Sequence, residues 1–123
     1  MRSNPVGWFE IYVQDIDRAR KFYEGVLQGK LEQLPSPGMD MWSFPMETNG
    51  SGAAGALVKM DGVPSGGNST LVYFACDDCA AEAGRVEASG GRIHQPKRSI
   101  GQYGFIALAV DTEGNMFGLH SIK

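Results

Sequence analysis

The only two cysteines in this 123-residue sequence form the segment "CDDC", Cys76 and Cys79. A C-x-x-C at a strand-to-helix junction can be a redox pair or half of a zinc site. A zinc site needs two further Cys or His ligands, and His94 and His120 do not supply them at a zinc-finger spacing. The two intervening aspartates disfavour the thiolate that a redox pair requires. We therefore expect both cysteines to be small core residues, as free cysteines usually are.

A carboxylate and an imidazole, Glu10 and His120, are the other groups that could do chemistry together. They lie in "GWFEIYV" and "MFGLHSI", where alternating residues predict two-faced strands. If one face packs under a helix, Trp8, Glu10 and Tyr12 share the other face, as do Gly118 and His120. Facing one pocket, the two groups can bind a metal, or act as base and acid without one. The structural alternative pairs Glu10 with a Lys or Arg at the rim and leaves His120 as a hydrogen-bonded residue near a C-terminus.

These groups must be positioned by a strand, a helix and three further strands in the first half of the chain. Asp15 suits a helix N-cap, apolar residues follow at helical spacing, and Gly29 suits the C-terminal end. The segments "KLEQL", "MDMWSFPM" and "AAGALVKM" read as strands, with "TNGSG" as a hairpin turn. The order is βαβββ.

The same order returns after the loop "DGVPSGGNS". The segment "TLVYFAC" predicts a strand, Asp77 or Asp78 caps a helix, and the glycines at 90 and 91 end it. The segments "RIHQPKRSI", "GFIALAV" and "MFGLHSI" predict strands, with "DTEGN" as a hairpin turn. A shift of 62 residues aligns Asp15 with Asp77, and the half-length period indicates a duplication.

The duplication predicts an α+β fold, with two tandem βαβββ modules forming a curved mixed sheet around a concave cavity. We expect one domain over 1–123, with module one at about 6–60 and module two at about 69–122. Such a cavity is a natural site for a small molecule. The residues expected to contact the ligand are aromatic side chains and one arginine from the cluster "PKR": Trp8, Tyr12, Trp42, Phe44, Tyr73 and Arg98. The structural alternative is that the aromatic side chains fill the cavity, so an open or collapsed cavity decides between the two.

The segments "EIYVQDIDRARKFYEGVLQGKL" and "GFIALAVDTEGNMFGLHS" resemble the vicinal-oxygen-chelate superfamily. That superfamily includes glyoxalase I, extradiol dioxygenases and the fosfomycin- and bleomycin-resistance proteins. The chain is especially similar to small bacterial proteins related to lactoylglutathione lyase, and the resemblance covers nearly the whole chain. Three motifs carry the resemblance: V-x-D, a helix with F-Y, and a terminal D-x-x-G-N-x-x-G-L. They are more specific for the fold than for an activity.

The resemblance implies four metal ligands, His or Glu and sometimes Gln or Tyr, two from each module. The matching positions hold Trp8, Ala56, Leu71 and Gly118, or Thr70 in place of Leu71 if the register slips by one. None of these side chains ligates a divalent metal well. We therefore expect no metal at the family's site and no cofactor.

Three functions remain open, and the third is that the chain mainly mediates assembly with a second copy. The first is a metal-free module that binds a small, aromatic or flat organic molecule. The second is a lyase or isomerase of the glyoxalase type, with Glu10 as base and Tyr73, Arg98 or His120 stabilising the oxyanion, or with a metal relocated to Glu10 and His120. The resemblance also implies a homodimer.

Charge and hydropathy exclude other classes of partner. The net charge is −3 and no basic cluster exceeds two or three residues, which disfavours a nucleic-acid binder. No apolar run reaches membrane-spanning length, and the first residues have no apolar core of a signal peptide. We expect a cytoplasmic protein without a membrane partner.

Overall fold

A computed structural model describes residues 1–123 and contains two α-helices and eight strands in the order βαβββ–βαβββ. In module one the elements are β1 (Trp8–Tyr12), α1 (Ile16–Leu27), β2 (Glu32–Leu34), β3 (Asp40–Ser43) and β4 (Ala54–Lys59). In module two they are β5 (Tyr73–Ala75), α2 (Cys79–Val86), β6 (Arg92–Ser99), β7 (Phe105–Val110) and β8 (Met116–Ser121), with a 3₁₀ turn at Gly101–Tyr103. The predicted tandem βαβββ fold is confirmed.

Each module forms its own four-stranded mixed sheet, and neither sheet closes on itself. The strand orders are β1-β4-β3-β2 and β5-β8-β7-β6. The pairs β1–β4 and β5–β8 are parallel, and the other pairs are antiparallel. The first strand of each module therefore lies at an edge of its sheet.

Helix α1 begins where the sequence predicts and ends one residue earlier than expected. The Asp15 carboxylate accepts the backbone N–H of Arg18 at 3.0 Å, as an N-cap does. The left-handed residue that ends the helix is Gln28, at φ 57°, and not Gly29. The Gln28 N–H donates to the Glu24 carbonyl at 2.9 Å, so one backbone bond of the last turn is still satisfied.

Helix α2 is capped by Asp78, whose carboxylate accepts the N–H of Ala80 at 3.0 Å. The alignment of Asp15 with Asp77 is therefore corrected to Asp78, a shift of 63. The partners of the parallel strands confirm this, because Ile11 pairs with Leu57 and the equivalent Phe74 pairs with Leu119. Module two is one residue shorter than module one between its helix cap and its last strand.

One hydrophobic core lies between the helices and the sheets and continues from one module into the other. The rings of Phe9 and Phe74 have centroids 6.1 Å apart, so β1 and β5 are neighbours across the seam. On the helix side, Phe22 of α1 lies 5.8 Å from Phe117 of β8, edge to face. Neither helix has the length and hydropathy needed to span a membrane.

Candidate functional site

The face of the two sheets that the helices leave uncovered is called the open face. On β1, Ile11 is buried on the helix side, whereas Trp8 and Glu10 are exposed and Tyr12 is half-buried on the open face. On β8, Leu119 is buried in the core, and Gly118 and His120 alternate with it. The alternation predicted from the sequence is confirmed for both strands.

Two rows of paired residues cross the open face of module two. In one row Tyr73 pairs with Gly118, Gly118 with Leu108, and Leu108 with Gln95. In the next row the residues, from β5 to β6, are Ala75, His120, Ile106 and Arg98. These rows place an imidazole in the middle of an otherwise mainly apolar surface.

A cavity of about 440 Å³ lies on this surface. Its lining consists of two side chains of β5, one each of β7 and β8, and one of the loop after β6: Tyr73, Ala75, Ile106, His120 and Ile100. The volume falls within the range of small-molecule sites in proteins, roughly 300–1,000 Å³. The cavity is open to solvent, and one aromatic side chain, Tyr73, forms part of its lining.

The wall formed by Tyr73 depends on the glycine beside it. Tyr73 is 46% exposed, so its ring is available at the surface. A Cβ at Gly118 would collide with the Tyr73 ring, so the ring lies flat over the space where any other residue would project. Glycine at this position therefore allows the tyrosine to lie along the cavity.

His120 is held by a backbone carbonyl. Its Nε2 lies 2.7 Å from the Tyr103 carbonyl oxygen. Because a carbonyl can only accept, Nε2 carries the hydrogen, which leaves Nδ1 without a hydrogen-bond partner within the chain. This agrees with the structural alternative for His120 and leaves one ring nitrogen able to contact a ligand.

The Glu10 carboxylate accepts hydrogen bonds from side chains of its own strand. Its two carboxylate oxygens accept the Trp8 indole N–H at 3.1 Å and the Tyr12 hydroxyl at 2.7 Å. The hydrogen bond to Glu10, with burial and the carboxylate's charge, raises the pKa of Tyr12, so the phenol stays protonated. None of the three ion pairs of the chain includes Glu10, so the structural alternative that pairs it with a Lys or Arg is wrong.

Glu10 and His120 do not line the same cavity. Glu10 and Tyr12 line a groove of about 350 Å³ between the edge strand β1 and the linker at 64–70. His120 lines the cavity of module two. The structure therefore does not bring together the carboxylate and the imidazole that the sequence suggested as an acid–base pair.

The prediction that Trp42 and Phe44 face the cavity is wrong. Trp42 pairs with Leu57 of the core, and the Arg20 guanidinium of α1 lies 4.0 Å from its ring centroid. Phe44 is only 8% exposed and packs against Phe9 at 5.7 Å. Both rings lie on the helix side. The residue between them, Ser43, pairs with Ala56 and points to the open face, and neighbouring side chains of a strand point to opposite faces.

Arg98 lies at the outer end of the row that contains His120. Its side chain is exposed and forms no ion pair or hydrogen bond within the chain. Its position on β6, two strands from His120, places it at the margin of the cavity and not in its lining.

The side chains at the family's metal positions do not fit a divalent metal. Trp8 and Leu71 offer no ligand atom, Ala56 is completely buried, and Gly118 lies under the Tyr73 ring. No group of three or more His, Cys, Asp or Glu side chains lies close enough together to hold a metal ion. We therefore derive no chemical step through a metal at these positions.

The cysteines have the environment of core residues. Both are free, and Cys79 is completely buried. Burial, together with the nearby carboxylate of Glu82, raises the pKa of Cys76 to about 12. A thiol with that pKa is almost entirely protonated at neutral pH, which opposes redox chemistry.

A polar cluster that the local sequence patterns do not predict joins the two modules. The turn "DTEGN" between β7 and β8 docks onto module one. The Glu113 carboxylate, whose side chain is 0% exposed, accepts the Arg18 Nε–H at 2.7 Å and the backbone N–H groups of Gln14 and Asp15, both at 2.9 Å. Burial opposes the charge of Glu113, but the donors from Arg18 and the two backbone groups outweigh it and lower its pKa to about 2.

Asn115 and Asp111 complete this contact. The Asn115 amide donates to the Tyr12 carbonyl at 2.9 Å and accepts the Gly66 N–H at 2.6 Å. The buried Tyr23 hydroxyl of α1 donates to Asp111 at 2.6 Å. The D-x-x-G-N motif marks this turn in the sequence, but its spacing does not show which groups of module one the turn contacts.

Comparison with known proteins agrees with this architecture. The model of the Glyoxalase/Bleomycin resistance protein/Dioxygenase superfamily matches residues 6–119. The chain belongs to that superfamily. The curated "Putative glyoxylase CFP32" of Mycobacterium tuberculosis is 27% identical over 119 residues, 96% of this chain and 46% of that protein. The chain thus spans about half the length of the curated relatives it matches.

Two solved structures of the superfamily illustrate its range. Glyoxalase I from Zea mays is 25% identical with a TM-score of 0.74, over 93% of this chain and 43% of that one. The antibiotic-binding protein TnmS3 from a Streptomyces species is 26% identical with a TM-score of 0.70, over 98% of both chains. The match to TnmS3 therefore covers nearly the whole of both proteins, whereas the match to glyoxalase I covers less than half of that enzyme.

Proposed function

We propose that this protein binds a small, flat organic molecule in the cavity on the open face of module two. The observation that carries the proposal is the open cavity of about 440 Å³, which has an exposed tyrosine as one wall. Burying a planar ligand against Tyr73 and Ile106 gains both from apolar area and from aromatic stacking. The antibiotic-binding relative, similar over its whole length, supports a binding role for this architecture.

The polar groups around the cavity give the ligand an orientation. His120 offers Nδ1 as an acceptor, because Nε2 is engaged by the Tyr103 carbonyl. Arg98, at the end of the same row, supplies a free guanidinium at the margin, which can bind an oxygen of the ligand. Trp8 and Tyr12 lie on the neighbouring edge strand and extend the aromatic surface beyond the cavity.

The experiment is a titration with N-phenyl-1-naphthylamine, a neutral flat probe whose fluorescence rises in apolar cavities. We expect saturable binding with one site per chain. Ala75→Phe, which fills the cavity from β5, and Tyr73→Ala, which removes its wall, should each weaken binding by about tenfold or more.

The matched control is Tyr103→Ala, because Tyr103 is an exposed tyrosine whose side chain does not line the cavity. It should bind the probe as the unmodified protein does. Circular dichroism checks that each variant is folded. Absence of saturable binding, or equal binding by Ala75→Phe and the unmodified protein, would contradict the proposal.

We also propose that the protein acts in the cytoplasm as a homodimer. The support is the set of large apolar side chains that are exposed outside the cavity and that a second copy can cover: Val6, Met46, Leu71 and Ile122. Light scattering after gel filtration should give twice the chain mass of 13.3 kDa. The chain mass alone, maintained over an approximately hundredfold dilution from high concentration, would rule the dimer out.

The lyase or isomerase alternative has no comparable support. It needs Glu10 and His120 to reach the same reacting atoms of one substrate, and they line different cavities. It also needs an electrophile, such as a metal, to stabilise the developing oxyanion. The side chains at the family's metal positions lack the ligand atoms to hold one. We therefore propose binding as the function of this chain.

A further inference from the structure

The carboxylate of Glu10 has an unusual setting for a surface acid. Both of its oxygens accept hydrogen bonds from aromatic side chains of its own strand, Trp8 at 3.1 Å and Tyr12 at 2.7 Å. No Lys or Arg of the chain pairs with it. The protein therefore presents a fixed negative charge between two aromatic rings and leaves it uncompensated.

The two donors fix the carboxylate without neutralising it. Neither indole nor phenol carries a positive charge, and the pKa of Tyr12 is raised, chiefly by its hydrogen bond to Glu10, so the phenol does not become an anion. Each carboxylate oxygen has two lone-pair directions and uses one of them here. One acceptor position on each oxygen remains for a ligand.

A cation is the complementary occupant for such a site. Carboxylates form their strongest hydrogen bonds with charged N–H donors, and the faces of Trp and Tyr rings attract cations. Trp8 is 39% exposed, so its ring is accessible to a ligand. The groove beside Glu10 and Tyr12, of about 350 Å³, gives room for the group that carries the charge.

We propose that Trp8, Glu10 and Tyr12 form a recognition site for a protonated primary amine, so that the ligand of this protein is a cationic aromatic molecule. This inference rests on the proposed function, because the amine belongs to the molecule whose flat part occupies the cavity of module two. The groove and the cavity share no lining residue, but Val72 of the groove lining directly precedes Tyr73 of the cavity lining. Phe9 and Phe74 touch across the seam with centroids 6.1 Å apart, and Glu10 and Tyr73, their neighbours in sequence, project to the open face.

The test compares 4-phenylbutylamine with 4-phenylbutan-1-ol, two probes of nearly equal size that differ in charge. Calorimetry on the unmodified protein should show the amine binding about tenfold more tightly than the alcohol. Glu10→Gln keeps the size of the side chain and removes its charge, so the preference for the amine should fall to within about twofold. Added salt should weaken binding of the amine and leave binding of the alcohol unchanged.

Glu32→Gln is the matched control, because it removes one exposed carboxylate from the open face of the same sheet, on β2. It should keep the preference for the amine. An independent readout is the pair of indole N–H resonances, where the amine should shift the signal of Trp8 and not that of Trp42, which lies under Arg20 on the helix side.

Three results would overturn the inference: equal affinity for the two probes, a preference that survives in Glu10→Gln, or an equal loss of preference in Glu32→Gln. Equal binding of both probes that is lost in Tyr73→Ala would refute the amine site and leave the proposed function standing. Failure of the neutral naphthylamine probe, together with a retained and Glu10-dependent amine preference, would refute the cavity and keep the amine site.

Discussion

The pair of Gly118 and Tyr73 shows how one residue without a side chain determines the shape of the cavity. Gly118 matches a metal-ligand position of the superfamily, and here the Tyr73 ring lies over it. The residue type at position 118 shows that the ligand position is vacant. It does not show that a neighbouring side chain lies over this position, because only the strand register shows that the two residues pair.

We predict that Gly118→Ala is destabilising, by about 1–3 kcal/mol, since the new methyl group must displace a ring from a packed position. In Tyr73→Ala the ring is absent, so adding Gly118→Ala should cost much less than it does in the unmodified protein. Urea unfolding of the two single variants and the double variant measures the coupling. Additive effects of the two substitutions would show that the ring and the glycine do not interact.

At the scale of the elements, the periodicity of apolar residues predicts the helices and strands correctly. It does not show, for every strand, which residues face the helices. For β1 and β8 the alternation between apolar and polar residues was strong enough to separate the two sides. For β3 it was not, because Met41 and Trp42 are both large and apolar, so the sequence alone does not decide which faces the helix. Packing of Arg20 on Trp42 decides it.

The cap of α2 was also ambiguous, and the structure assigns it to Asp78. The Asp78 carboxylate accepts the Ala80 N–H at 3.0 Å and pairs with Lys97 at 2.8 Å, and the bond to Lys97, then that to Ala80, lowers its pKa. We predict that Asp78→Ala lowers the melting temperature by about 3–5 °C, whereas Asp77→Ala changes it by less than about 2 °C. Calorimetric melting of the two variants compares them directly. A larger effect at Asp77 would return the cap to the position that a uniform shift of 62 residues suggests.

At the scale of the whole molecule, the order of the elements predicts the duplication. It does not predict how the two modules pack against each other. The core across the seam follows from apolar residues that the pattern already placed on the helix side. The polar contact depends on Glu113 meeting Arg18 and two backbone groups that lie 95 to 99 residues away along the chain. No local pattern predicts a contact of that separation, because only the packed modules bring the donors together.

The Glu113 contact should make stability depend on pH in a defined window. The pKa of this carboxyl is lowered from 4.5 to about 2, so the folded state binds its proton less readily than the unfolded chain. The stabilisation is therefore complete above about pH 4.5 and is lost as the pH falls towards 2. At pH 7 Glu113→Gln should cost about 1–2 kcal/mol, less than the full shift implies, because Arg18 is half exposed and solvent screens the pair. Urea unfolding of both proteins at pH 7, 4 and 3 should show the difference shrinking as the pH falls; a difference independent of pH would mean that the ionised carboxylate does not hold the modules together.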